Sequence, residues 1–287
     1  MEKASKVIFW NIWGHRHADE LHSFLEEHSS DADVFCLTEV TDISDKELGR
    51  LGTVLCHSAR TDEQASHVNG HQQLRERFAH LYDLIYQSAT RAKWTCEQTG
   101  TIFRGVGFGS ALLVKKELLV LGTGNDKLHF SDEAVHSRVL QWVVYQKGTL
   151  RYLVAHFHGV WIQGNTKGDH LARTEQSYAV RQRLNFLTGF YNIDKVIFGG
   201  DFNLDIATEA LRQLESGADG HGTKYRNLVK EFGINNTRTK SYRHFGLEGH
   251  SMFADYVLAN EATLVESFEV LTDATASDHA PLIVQFS

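Results

Sequence analysis

Acidic, amide and imidazole side chains recur in this sequence at the points where short apolar runs end. Five places share the pattern: Asn11 after residues 7–10, Glu39 after residues 34–37, His158 after residues 151–157, Asp201 and Asn203 after residues 196–198, and Asp278 with His279 before residues 282–286. Each one alone is explained by turn formation or helix capping. Three acids, two amides and two imidazoles at strand ends together indicate an active site, because strands fix position while loops give access.

These residue types suit hydrolysis of a phosphoester. Magnesium prefers oxygen ligands and keeps several waters, so one or two carboxylates and a substrate phosphate are enough to hold it. Phosphodiester hydrolysis adds negative charge to the non-bridging oxygens, which a cation, an imidazolium and amide donors stabilise.

Short apolar strands alternate with amphipathic helices along the whole chain. The pattern predicts strands at residues 6–11, 33–37, 110–115, 139–145, 151–158, 195–198, 253–259 and 282–286. It predicts helices at residues 18–28, 74–86 and 173–187. The apolar runs 7–9 and 196–198 resemble each other, in line with two related halves packed sheet on sheet.

Composition restricts the class of protein. The 287 residues carry a net charge of −7, with 42% hydrophobic residues, which excludes a disordered chain and disfavours a protein that coats nucleic acid by positive charge. Three widely spaced cysteines do not predict a disulfide framework. With no signal peptide or apolar run of spanning length, we expect a single domain over residues 1–287 and a cytoplasmic monomer without a membrane span.

Five motifs in order resemble the endonuclease/exonuclease/phosphatase superfamily, whose fold is DNase I-like. They are Trp10-Asn11, Leu37-Thr38-Glu39-Val40, Gly199-Gly200-Asp201-Phe202-Asn203, Asp255-Tyr256 and Ser277-Asp278-His279-Ala280-Pro281. The resemblance covers residues 7–286. It implies a four-layer α/β sandwich, with two mainly antiparallel sheets face to face and helices outside. It also implies phosphoester hydrolysis with a divalent cation, Mg²⁺, for which Mn²⁺ substitutes.

The resemblance also implies roles for single residues. Glu39 matches the metal-binding glutamate, Asn11 the asparagine beside metal and phosphate, and Asp278 an aspartate near the metal. Asp201 matches the aspartate that orients or deprotonates the attacking water, and Asn203 its phosphate-binding neighbour. His279 matches the histidine that contacts the phosphate, with Asp255 as its carboxylate partner. Thr38 replaces the usual glutamine, which should disturb hydrogen bonding around the metal more than metal binding.

The strand at residues 151–158 places two histidines on one face, because side chains alternate along a strand. His158-Gly159-Val160-Trp161 matches a bacterial form of the family motif, so we expect His158 to contact the phosphate. His156 is then an alternative contact or a supporting residue in substrate binding. Two imidazoles on one face also suit zinc, but the continuation typical of di-metal hydrolases is absent because Val160 stands in the aspartate position.

Two stretches are basic despite the negative total. Residues 72–116 have a local balance of +4, and residues 222–243 have a balance of +5. Arg238 and Tyr242 in the second stretch suit phosphate contacts and base stacking; alternatively, the stretch is a solvated loop. The leading hypothesis is a nuclease acting on DNA or RNA. The alternatives are a hydrolase of a small or lipid phosphoester, such as an inositol phosphate or a sphingomyelin-like headgroup, and a catalytically silent binding scaffold.

Overall fold

The computed structural model describes residues 4–57, 65–129, 138–162, 167–216, 223–245 and 251–287. The strands in this part of the chain are β1 (Ser5–Asn11), β2 (Val34–Asp42), β3 (Leu55–Cys56), β4 (Ser66–His67), β5 (Tyr82–Thr95), β6 (Ile102–Lys115), β7 (Leu119–His129), β8 (Arg138–Lys147), β9 (Leu150–Phe157), β10 (Lys195–Asp201), β11 (Tyr225–Asn227), β12 (Asp255–Asn260), β13 (Val265–Val270) and β14 (Leu282–Phe286). The helices are α1 (Ala18–His28), α2 (Asp45–Leu51), α3 (Gly70–Phe78), α4 (Leu171–Tyr191), α5 (Glu209–Ser216) and α6 (Leu228–Glu231).

The two six-stranded sheets have the same arrangement of central strands. Their orders are β13-β14-β1-β2-β6-β5 and β11-β12-β10-β9-β8-β7. The inner strands β1 and β10 each pair in parallel with one neighbour, β2 or β9, and antiparallel with the other, β14 or β12. The remaining pairs in both sheets are antiparallel. The repeated arrangement accounts for the likeness of residues 7–9 and 196–198, which lie on β1 and β10.

Side chains of β1 point alternately to the two faces of its sheet, which shows how the layers are built. Val7 and Phe9 enter the core between the two sheets, where they join residues of β9 and β10. Ile8 and Trp10 point to the opposite face and pack with α1 and α3. Helices α4 and α5 pack against the second sheet. The architecture is therefore the predicted α/β sandwich, with two mainly antiparallel sheets and helices. No helix in the described ranges has both the length and the hydropathy to cross a membrane.

The predicted helix at residues 74–86 is wrong in its second half. Helix α3 ends at Phe78, and β5 begins at Tyr82 and pairs antiparallel with β6. The apolar residues here fit both the helical and the strand periodicity, and pairing with β6 selects the strand. Tyr82 and Leu84 then face the helices, whereas Ile85 faces the core between the sheets.

The glycine-rich residues 105–109 form part of β6. That strand runs eight residues further toward the N-terminus than the predicted start at residue 110. The glycines allow close approach of β5: a Cβ on Gly109 would lie 2.0 Å from the carbonyl oxygen of Gln87.

Candidate active site

The predicted site residues meet at one end of the sandwich, where β1, β2, β9 and β10 end and β12 begins. Asn11 is the last residue of β1, and Asp201 is the last residue of β10. Asp255 opens β12 directly opposite Asp201 in the antiparallel ladder. The strand ends thus bring together residues that are 190 positions apart in the chain, and Asn11 Nδ2 lies 3.1 Å from Asp201 Oδ2.

A β-bulge directs Glu39 into the site. The register of β2 against β6 shifts between Thr38 and Val40, and Glu39 has a φ of 61°. A bulge leaves one residue outside the ladder and re-aims its side chain, commonly beside active sites. Glu39 Oε1 accepts a hydrogen bond of 3.0 Å from Asn11 Nδ2. Burial raises the pKa of the Glu39 carboxyl, so its charged form needs a compensating cation.

Asp201 lies at the centre of the site. Its Oδ2 accepts from Asn11 and lies 3.4 Å from His158 Nε2 and 3.5 Å from His279 Nε2. Burial alone would raise the pKa of Asp201, but nearby positive charges, with His279 foremost, hold that pKa well below its usual range. The carboxylate is therefore ionised throughout the physiological pH range and can accept a hydrogen bond from a water.

His279 and Asp255 form the predicted pair. His279 Nδ1 lies 2.7 Å from Asp255 Oδ2, and both side chains are buried. Burial and Arg238 would lower the pKa of His279, but Asp255 and Asp201 outweigh them and raise it, with help from the neighbouring Asp278. The imidazole is thus favoured in its charged form, with Nε2 directed toward Asp201.

The two histidines of β9 have different environments. His158 Nε2 lies 3.9 Å from Glu39 Oε1 and 3.4 Å from Asp201 Oδ2. His156 is fully buried, and its Nε2 lies 2.9 Å from Gln141 Oε1 on the neighbouring strand. Burial lowers the pKa of both, that of His156 to about 3, so both are neutral. The structure brings His158, but not His156, to the carboxylates, and a zinc site that uses both imidazoles is not formed.

Gly159 joins the ends of β9 and β10. Its N–H donates to the Asp201 carbonyl over 2.5 Å. Its own carbonyl accepts from Arg138 Nε at 2.7 Å and from Asn203 Nδ2 at 3.2 Å. The amide of Asn203 therefore supports the strand ends, and its backbone N–H donates to Asp201 Oδ1 over 2.9 Å.

Arg238 and Asp278 also reach the site. Arg238 Nη1 donates to Asp278 Oδ2 over 3.1 Å, and the guanidinium lies 4.4 Å from the ring centre of Tyr242. Asp278 Oδ1 is buried without a hydrogen-bond partner in the described chain and lies 3.8 Å from His279 Nε2. The predicted residue Tyr242 is buried beneath Arg238, so it contacts the cation rather than presenting an open face.

Three basic residues at the site were not found from the sequence. Lys167 is buried, donates to the carbonyls of Ser251 and Phe253, and lies 5.2 Å from the Tyr242 ring. Burial lowers the pKa of Lys167 to about 7 and that of Arg138 to about 10. The third is Arg16. Burial lowers the pKa of its guanidinium, and the charge of Glu39 partly opposes that shift. The sequence offered one clue to Arg16, which is its position five residues after Asn11.

Five of the other basic residues in the two predicted stretches lie in ion pairs within the described residues. In the first stretch, Arg77 pairs with Glu26 and Arg91 with Asp42. In the second, three pairs are formed: Arg226 with Glu231, Lys230 with Glu215, and Lys240 with Asp273. Of the residues in these two stretches, the structure brings Arg238 and Tyr242, which were proposed for substrate contact, close to the carboxylates.

The donor set fits a divalent cation. Ligand atoms of Glu39, His158 and Asp201 lie within 4.8 Å of one another. Glu39 is half-buried and has no cationic partner in hydrogen-bond contact among the described residues, which is an environment that a hard cation stabilises. Asn11 faces these carboxylates with its amide nitrogen, while its Oδ1 accepts from Trp13 N at 3.0 Å. In this arrangement Asn11 orients the carboxylates rather than offering an oxygen.

Comparison with known proteins agrees with this geometry. The profile of the Endonuclease/Exonuclease/phosphatase family matches residues 8–279. The chain belongs to that family. Its members are phosphoester hydrolases, and the match includes every site residue described above. The chain has no match among curated protein sequences.

Three solved structures with the same fold illustrate the range of proteins to which this chain is similar. The human Nocturnin catalytic domain with bound sulfate is 18% identical to this chain, with a TM-score of 0.65, over 100% of this chain and 95% of that one. A mannosyl-6-phosphatase from Bacteroides thetaiotaomicron is 16% identical, with a TM-score of 0.64, over 99% of both chains. TDP2 from D. rerio complexed with a single-strand DNA product is 15% identical, with a TM-score of 0.65, over 99% of both chains.

Proposed function

We propose that this family member is a divalent-metal-dependent phosphodiester hydrolase that acts on nucleic acid. The observation that carries the proposal is the convergence of Glu39, Asp201, His158 and the His279–Asp255 pair at one end of the sandwich. Such a site combines a cation position, a water acceptor and two imidazole donors, which are the groups that phosphodiester hydrolysis needs.

Mg²⁺ is the proposed cofactor, and Mn²⁺ should replace it. Glu39 would hold the cation, with Asp278 and the Asn11 amide nearby. When bound, the cation supplies positive charge to the phosphate oxygens. Asp278 contributes a buried carboxylate oxygen that has no hydrogen-bond partner among the described residues, which supports a cation nearby.

The protein groups act around the phosphate in distinct ways. Asp201 Oδ2 accepts a hydrogen bond from the attacking water and orients that water. His279 donates from Nε2 to a phosphate oxygen while Asp255 holds its ring through Nδ1. His158, which is neutral, donates a second hydrogen bond from the other sheet. His156 serves as a positioning residue that supports β9 through Gln141.

A second candidate function is hydrolysis of a small or lipid phosphoester. This candidate is supported by the net charge of −7 and by the ion pairs that hold five basic residues of the two stretches. A silent scaffold is disfavoured, because buried carboxylates and imidazoles are costly to retain without a role.

One activity panel separates these functions. It uses Mg²⁺, Mn²⁺ and EDTA with single- and double-stranded DNA, abasic DNA, RNA, inositol phosphates, sphingomyelin and a bis-aryl phosphodiester. We expect cleavage of nucleic acid with Mg²⁺ or Mn²⁺, its loss in EDTA, and cleavage slowed about 10²–10⁴-fold by Asp201→Asn. Cleavage of inositol phosphates or lipid alone would show that the nuclease proposal is wrong.

A further inference from the structure

The turn after Asn11 has an unusual backbone. The 3₁₀ turn Trp13–His15 has three consecutive positive φ angles, at Trp13 (50°), Gly14 (66°) and His15 (56°). Non-glycine residues in this region are strained, and such strain concentrates at functional sites. The turn is tied to the active site through Trp13 N, which donates to Asn11 Oδ1. It therefore fixes the residue that follows it, Arg16, beside the carboxylates.

Arg16 is a half-buried cation, and the part of the chain that the structure describes places no anionic partner in contact with it. Its guanidinium carbon lies 4.5 Å from the centre of the Trp13 ring. Its Nε and Nη1 atoms are buried and have no hydrogen-bond partner within the described ranges. Glu39 and Asp278 act on its charge, yet neither carboxylate forms an ion pair with it in that part of the chain.

A guanidinium in this state is suited to an incoming anion. Its planar fork matches phosphate oxygens, and stacking on an indole holds the fork without using its N–H groups. Burying unpaired N–H donors is unfavourable, so an anion that pairs with them gains affinity. Glu39 and Asp278 are adjacent but already belong to the proposed cation position and to Arg238.

The scissile phosphate has other partners in the proposed mechanism. His158 and His279 converge on Asp201 from the two sheets, whereas Arg16 comes from the turn beside β1. We infer that Arg16 binds a second phosphate of the substrate, next to the scissile one. This inference rests on the proposed function and makes it more specific: the substrate is a phosphodiester with a neighbouring phosphate group, as in a polynucleotide.

The test compares dinucleotides that differ by one phosphate. TpT carries only the bridging phosphate, whereas pTpT and TpTp add one at the 5′ or the 3′ end. Binding is measured by calorimetry with Mg²⁺ in an Asp201→Asn background, in which turnover is slowed, and kcat and KM are measured with Asp201 intact. The variants are Arg16→Ala and Arg16→Lys. Arg212→Ala is the matched control, because Arg212 pairs with Glu209 on the surface.

We expect Arg16→Ala to weaken binding of pTpT or TpTp about 10- to 100-fold, the range of a charge-assisted hydrogen bond. Binding and turnover of TpT should change little, Arg16→Lys should be intermediate because it cannot pair bidentately, and Arg212→Ala should match the wild type. Equal losses for TpT and its phosphorylated forms, or no loss for any, would overturn the inference. Arg16-dependent binding without hydrolysis of any dinucleotide by the wild type would instead refute the proposed function.

Discussion

Replacing Gly159 by alanine tests whether the contact between β9 and β10 sets the active-site geometry. A Cβ on Gly159 would lie 1.9 Å from the carbonyl oxygen of Phe202 and 2.3 Å from its carbonyl carbon, both backbone atoms. Reaching the 3.0 Å below which Cβ contacts are essentially never seen requires a shift of about 1.1 Å. That shift must move His158, which precedes Gly159, relative to Asp201, from which it is now 3.4 Å away.

A displacement of about 1 Å can cost roughly 10²-fold in rate, so kcat of Gly159→Ala should fall by about that factor. Overpacking should also lower the free energy of unfolding by about 1–3 kcal/mol. The assay is hydrolysis of a bis-aryl phosphodiester at saturating Mg²⁺, with thermal unfolding measured in parallel.

The matched control is Gly189→Ala. Gly189 lies on α4, and a Cβ there would have no atom within 4 Å. This variant should keep wild-type kcat and gain up to about 1 kcal/mol in stability, because alanine is the better helix former. If Gly159→Ala folded and kept kcat within threefold of the wild type, the contact between β9 and β10 at Gly159 would not be what holds His158 close to Asp201.

Four further predictions concern the site itself. Glu39→Gln should weaken Mg²⁺ binding and leave the fold intact, because the charged oxygen is lost; wild-type activity at limiting Mg²⁺ would contradict this. Asp201→Asn should lower kcat about 10²–10⁴-fold with little change in KM, whereas a change confined to KM would make Asp201 a binding residue. His158→Asn and His279→Asn should each lower kcat roughly 10²–10³-fold, while His156→Asn stays substantially active, and the reverse ranking would be decisive against our assignment. Because the charged form of His279 is the donor, wild-type kcat should fall as pH rises through its raised pKa.

The strand ends could be predicted because they depend on local sequence. Continuous apolar runs mark β1 and β10, and a polar residue where each run stops is visible without any tertiary information. The pairing of Asp255 with His279 was expected from the family resemblance. The structure adds the 2.7 Å contact that orients the ring.

The orientation of Glu39 could not be predicted from the sequence. It depends on a bulge whose cause lies in the partner strand β6, more than 60 residues away in the chain. The strand at residues 82–86 was missed for the same physical reason, because pairing with β6 overrides a local pattern that also fits a helix. Residues such as Lys167 and Arg138 were missed because their burial beside the carboxylates is a property of the folded chain alone.

The two central carboxylates differ in how their charge is compensated, and this difference divides their roles. Positive groups around Asp201 already stabilise its negative charge and hold its pKa low. Glu39 lies in the same site, yet burial outweighs its favourable contacts and its pKa is raised. A cation therefore gains more from binding at Glu39 than at Asp201, and Asp201 Oδ2 stays available to a water. We accordingly expect Mg²⁺ to lower the pKa of Glu39 much more than that of Asp201, which carboxyl ¹³C titration with and without the metal can measure.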